Sequence, residues 1–214
     1  LAGIMAVSML AGCKDGGNGG ENGGTGELTP SSTYTSTVMS SADATTQALF
    51  KVGASSQLDG AVSYVAANFT YQNASDKSTL TTIMDNNQEM QNLAKKYMSN
   101  AVYANGDLTT DNAYTAGAAI KQLVGQKDVT VYTMFAVSRK YNDEYVDNLV
   151  TKKVNAIAVA LSDNIPDDGN TYNYTINISK ANSQKSKNEA NVDNDAVIVA
   201  IAITLDYTEA SFNA

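Results

Sequence analysis

Residues 196–207, AVIVAIAITLDY, form the most β-prone run in the chain. Valine and isoleucine dominate it, and no glycine or proline interrupts it. Branched side chains suit a pleated surface, so the segment reads as a strand. Burial as a central strand of the chain's own sheet is the plainer reading. An exposed edge that pairs with another chain is the alternative. Working back from this run, a long polar loop at 179–195 is preceded by Tyr172–Ile178. There Tyr172, Tyr174, Ile176 and Ile178 alternate with Asn173, Thr175 and Asn177, the pattern of a half-buried strand. Val154–Leu161 (VNAIAVAL) is short, apolar and bounded by a turn, and reads as a buried strand. The intervening SDNIPDDGN at 162–170 then serves as a hairpin connection. Val129–Val137 stays open between a strand, from its alternation, and a helix capped by Asp128.

Helical patterns occupy the earlier part of the chain. Asp43 suits the cap of a helix carrying Ala48, Leu49 and Val52, and Asp59 precedes Val62, Val65, Ala66 and Phe69 on one helical face. The clearest helix is expected to start with Leu80, Ile83 and Met84. It continues as a core-facing stripe through Met90, Leu93, Ala94, Tyr97 and Met98, and stops at Asn105-Gly106. Thr110 or Asp111 opens another, ending at Gly125, and Asn142 caps a short one through Tyr145, Val146, Leu149 and Val150. Helices first and strands last make an α+β protein: N-terminal helices followed by a C-terminal antiparallel sheet.

Composition excludes several kinds of chemistry. The formal net charge is -8 with 14 basic residues, which opposes nucleic-acid binding. Histidine is absent, which removes Ser-His-Asp and Cys-His catalysis and any histidine-ligated zinc site. No cofactor and no metal is expected. The single cysteine, Cys13, rules out a disulfide within the chain.

That cysteine closes the run Leu10-Ala11-Gly12-Cys13, behind an uncharged apolar stretch too short to span a bilayer. The run resembles the lipobox of bacterial lipoproteins, in which small residues precede a cysteine that becomes diacylated and N-terminal. The resemblance implies a signal peptide over 1–12, an N-terminus that has lost its first residues, and lipidation at Cys13. Several acyl chains would give a durable membrane anchor. It also implies a lipid-anchored place in the bacterial cell envelope. By the same analogy Lys14 does not resemble the aspartate that retains such proteins at an inner membrane, so an outer-membrane destination follows if the source is Gram-negative. Nine of the 15 glycines lie in the first 26 residues. Residues 13–40 therefore read as a flexible tether, and 41–214 as one globular domain of roughly 170 residues.

Candidate chemistry is sparse. Asp163, Asn164, Asp167, Asp168 and Asn170 offer oxygen ligands for calcium, but their spacing is not that of an EF-hand loop, and a solvated turn is the plainer account. Asp143 and Glu144 are adjacent and cannot face each other from a helix. Lys95-Lys96 and Lys152-Lys153 read as solvated faces. Three pieces resemble the CAP superfamily (SCP-like, cysteine-rich secretory protein type). They are Glu89–Asp107, Ala116–Ile120 (AGAAI) and Tyr145–Leu161 (YVDNLVTKKVNAIAVAL). Gly117, Ile120, Asn148 and Leu149 fit its motifs. Asn105, Ala118 and Tyr145 stand where its histidines and glutamate belong. The resemblance implies an α-β-α sandwich without the family's metal cavity, so no catalytic or metal residues carry over. The expected function is that of an envelope-anchored, non-enzymatic domain binding an unidentified protein or small-molecule ligand. The alternatives are a structural or assembly subunit using the strand Ala196–Tyr207, and a carboxylate-based hydrolase of envelope polymers.

Overall fold

A computed structural model describes residues 32–69, 83–85, 88–104, 119–138, 141–183 and 196–211. In chain order the elements are α1 (Thr33–Ser40), α2 (Ala44–Leu49), β1 (Phe50–Val52), α3 (Ser56–Asn68), β2 (Ile83–Asp85) and α4 (Gln88–Ala94). There follow β3 (Val102–Tyr103), β4 (Val129–Ser138), α5 (Asp143–Ser162), β5 (Thr171–Asn182) and β6 (Ala196–Thr208). Residues 119–123 are also helical. No helix among the described residues is long and apolar enough to cross a membrane.

The strands form one six-stranded sheet in the order β1-β5-β6-β4-β2, with β3 also on β4. β6 pairs antiparallel with β4 from Val129↔Leu205 to Ser138↔Ala196, and with β5 from Thr171↔Thr208 to Asn182↔Val197. Both of its edges are therefore taken. The Ala196–Tyr207 segment is the central strand and offers no edge to a partner, which removes the basis of the assembly alternative. On the far side of β4, β2 pairs at Phe135–Val137 and β3 at Val131–Tyr132, so two short strands share one edge. The β1–β5 and β3–β4 pairs are parallel, and the sheet is mixed where a purely antiparallel one was expected. Val129–Ser138 is a strand, which resolves the open choice at 129–137.

Helices cover both faces of the sheet. On one face Val197, Val199, Ile201, Ile203 and Leu205 of β6 join Tyr174, Ile176 and Ile178 of β5 and Val131, Phe135 and Val137 of β4. Val38 and Met39 of α1 pack there, with Val146, Val150, Val154, Ile157 and Leu161 of α5. On the other face the smaller Ala196, Ala200 and Ala202, with Ile198, meet Leu58, Val62 and Val65 of α3 and Met90 and Ala94 of α4. The class is α+β, built as three layers.

Several expectations need correction. Val154–Leu161 is helical, the second half of the 20-residue α5. Its apolar residues Val146, Val150, Val154, Ile157, Ala158 and Leu161 recur every three or four positions, and no glycine or proline breaks the run begun at Asn142. That cap works as expected: its Oδ1 accepts the Tyr145 N–H at 2.9 Å. SDNIPDDGN accordingly joins a helix to β5 and is no hairpin. Ile83–Met84 lies in β2, and the helix after it is the short α4, ending at Ala94 where the chain turns. Its stripe still faces the core: Met90, Ala94 and Met98 are buried, with Leu93 and Tyr97 packed partly against them. Val52 belongs to β1 instead of the α2 helix, and α3 is capped by Ser55, whose Oγ accepts the Leu58 N–H at 3.2 Å. Thr33–Ser40, assigned to the tether, is helix α1, because Val38 and Met39 find an apolar seat on the sheet. Asn105-Gly106, Thr110 and Asp111 lie outside the described residues.

The helical assignment of 154–161 is testable with two valines. Val154 is fully buried and Val159 is 58% exposed. Removing two buried methyl-sized groups at Val154→Ala should cost about 2–3 kcal/mol through lost transfer energy and residual cavity. Val159→Ala should change stability by less than about 0.5 kcal/mol. Urea unfolding of both variants separates this from a buried strand, which would suffer at both positions.

Candidate functional site

Polar side chains converge at the junction of α1, α5 and β5. Tyr34, on the first turn of α1, donates its hydroxyl to Asp147 Oδ1 of α5 at 2.7 Å. Lys180 of β5 donates to the same oxygen at 2.8 Å, and its Nζ lies 4.4 Å from the centre of the Tyr34 ring. Burial pushes the Tyr34 phenol well above the usual tyrosine range. Its hydrogen bond to Asp147 and the negative charges of Asp147 and Asp143 act in the same direction. A phenol so held stays protonated and acts as a donor, neither base nor nucleophile near neutral pH. The partly exposed ion pair contributes little by itself. The cluster acts as a clasp across three elements.

A second polar group closes the opposite end of the sheet. Asp168 accepts the Asn170 N–H at 3.0 Å through Oδ1 and the Tyr172 hydroxyl at 2.9 Å through Oδ2. Desolvation pushes its carboxyl up, but bonds from the Asn170 backbone, Tyr172, the Asn170 side chain and Gln126 together hold it below the usual range. Asn170 Oδ1 accepts from Ala210 N–H, and Asp128 Oδ1 from Tyr207 N–H, each at 2.9 Å. Gly169, at φ 79°, supplies the left-handed residue of this turn. Both carboxylate oxygens of Asp168 are engaged in loop bonds. Among the described residues no three acidic or sulfur side chains gather as a metal site would require. Asp168 and Asn170 hold this turn, whereas Asn164 donates its side-chain amide to the Ala160 carbonyl at 2.8 Å at the end of α5.

Asp143 and Glu144 are exposed in the first turn of α5. Lys95, Lys96 and Lys152 are exposed, as expected, although Lys96 Nζ sits 4.1 Å over the Tyr64 ring. Lys153 departs from expectation. It is buried under α5 with Nζ 5.1 Å from the Phe135 ring centre, because its helical position faces the sheet. Sequence reasoning missed Tyr34, Asp147 and Lys180. The only signal was Tyr34, Val38 and Met39 recurring at helical spacing among threonines.

Neither a protein-family model, nor a curated protein, nor a solved structure matches the chain. Tyr145–Leu161, one of the CAP-like pieces, is helical throughout, within α5. Asn105, Gly117 and Ala118 lie outside the described residues, as does Cys13.

Buried phenols make a pH prediction. Burial pushes Tyr132 and Tyr174 up to about 12 from an ordinary 10.0, with Tyr103 and Tyr172 adding smaller contributions respectively. Tyr174 also donates to the Leu123 carbonyl at 2.9 Å. A folded value above the unfolded one means the stabilisation is complete below pH 10 and disappears as pH rises toward 12. The melting temperature should hold up to about pH 9 and fall between pH 10 and 12. Tyr174→Phe removes one titrating group and should flatten that fall.

Proposed function

We propose that the chain is an envelope-anchored bacterial lipoprotein whose three-layer domain binds a ligand or protein partner without catalysis. The observation that carries the anchor is Leu10-Ala11-Gly12-Cys13 behind an uncharged apolar run. An acylated Cys13 would place the domain at a membrane surface through the glycine-rich segment that follows. Behind an outer-membrane destination stands only the analogy at Lys14, conditional on a Gram-negative source.

The binding reading is supported by what the residues can do. Without histidine, the remaining catalytic options are carboxylate pairs, a lysine base or oxygen-ligated calcium. Asp147 and Asp168 are instead committed to bonds that join elements or close a loop.

Cys13→Ser, expressed in a bacterial host from the gene with its complete leader, tests the anchor. The parent should partition into detergent and take up a fatty-acid label. The variant should lose both. Unchanged partitioning and labelling of the variant would contradict the proposal.

A further inference from the structure

Of the helices, α1 has little to hold it up by itself. It has eight residues, short of the roughly 12–15 that give even marginal stability alone. Its sequence, TYTSTVMS, is rich in β-branched residues of modest helix propensity. Ser32 at its N-cap makes no side-chain cap bond, and the first turn holds no acidic residue.

Docking is what keeps it folded. The Ile178 N–H donates to Thr35 Oγ1 at 2.8 Å, and the same hydroxyl donates to the Ile178 carbonyl at 3.2 Å. One side chain thus satisfies both outward main-chain groups of Ile178, next along the β5 edge from Ile176, whose carbonyl takes the Gly53 N–H at 2.9 Å. A threonine stands there in place of a neighbouring strand. The Tyr34–Asp147 bond and the seats of Val38 and Met39 complete the attachment.

Just beyond α1 the chain is held independently. The Asp43 N–H donates to Asn155 Oδ1 of α5 at 3.1 Å, Thr46 is buried, and Phe50 starts β1 in the core. Ala42 is buried in the core and its carbonyl accepts from Gln47 Nε2 at 2.8 Å, so it belongs to the held side, and exposed Ser41 lies between the two attachments.

We propose that α1 is a releasable latch: it undocks as a unit about Ser41 while the rest of the domain stays folded, and Thr35 is the side chain that keeps it closed. Release frees the β5 edge at Ile178. The latch does not depend on acylation. Only its consequence does: with Cys13 anchored, an open α1 lengthens the tether.

Hydrogen exchange on the full chain tests this, with Thr35→Val removing the hydroxyl at constant shape and Thr35→Ser keeping it. In the parent, α1 amides and the Ile178 amide should exchange together, well ahead of the centre of β6. Thr35→Val should speed that set by at least about tenfold, the effect of leaving a buried main-chain pair unbonded, with β6 unchanged. Thr35→Ser should stay near the parent. Three results would overturn the latch: α1 exchanging at the β6 rate in the parent, Thr35→Val speeding β6 equally, or Thr35→Val failing to fold. A failed acylation test would leave these readouts untouched.

Discussion

The two-sided pairing of β6 is the constraint on which the rest of the structure depends. A strand hydrogen-bonded on both edges has only its two faces left, and both are apolar here. Each face must be covered. One receives α1 and α5 over large branched side chains, the other α3 and α4 over alanines. Burying the apolar stripe of a helix against each sheet face is the ordinary route to a three-layer core. With the single cysteine ahead of the domain, this packing carries the stability that a disulfide would otherwise supplement.

Where period and propensity agreed, the fold was legible in the residues. Ala196–Tyr207 and Tyr172–Ile178 are strands, and the Met90–Met98 stripe faces the core as its spacing implied. The same rules failed where a segment satisfied two templates. Val154–Leu161 is apolar enough for a buried strand, yet it extends a helix already capped at Asn142, and tertiary continuity decided the outcome. Ile83 fitted a helical stripe, but β4 presented an unpaired edge at Phe135–Val137 that it could join. Thr33–Ser40 looked like tether because its composition is polar. A few anchoring side chains, meeting a partner more than a hundred residues away, are invisible to any local pattern.

The polar clusters follow a similar logic. Tyr34, Asp147 and Lys180 are ordinary surface types in the sequence and become a clasp only when α1, α5 and β5 meet. The acidic residues at 163–170 offer calcium ligands by number but read more plainly as a turn, and Asp168 locks one. In both clusters the charged groups join elements or close a turn. The proposed anchor at Cys13 rests on four consecutive residues ahead of the domain.

Cross-strand backbone contacts measured by nuclear magnetic resonance test the central constraint most directly. In the register described, Ala200 lies opposite Met134 of β4 on one side and Ser179 of β5 on the other. Nuclear Overhauser contacts from Ala200 to the backbone of both residues, in a sample dilute enough to exclude pairing between copies, are the predicted result. Contacts to one neighbour alone would mean that β6 has a free edge, and the three-layer account would fail with it.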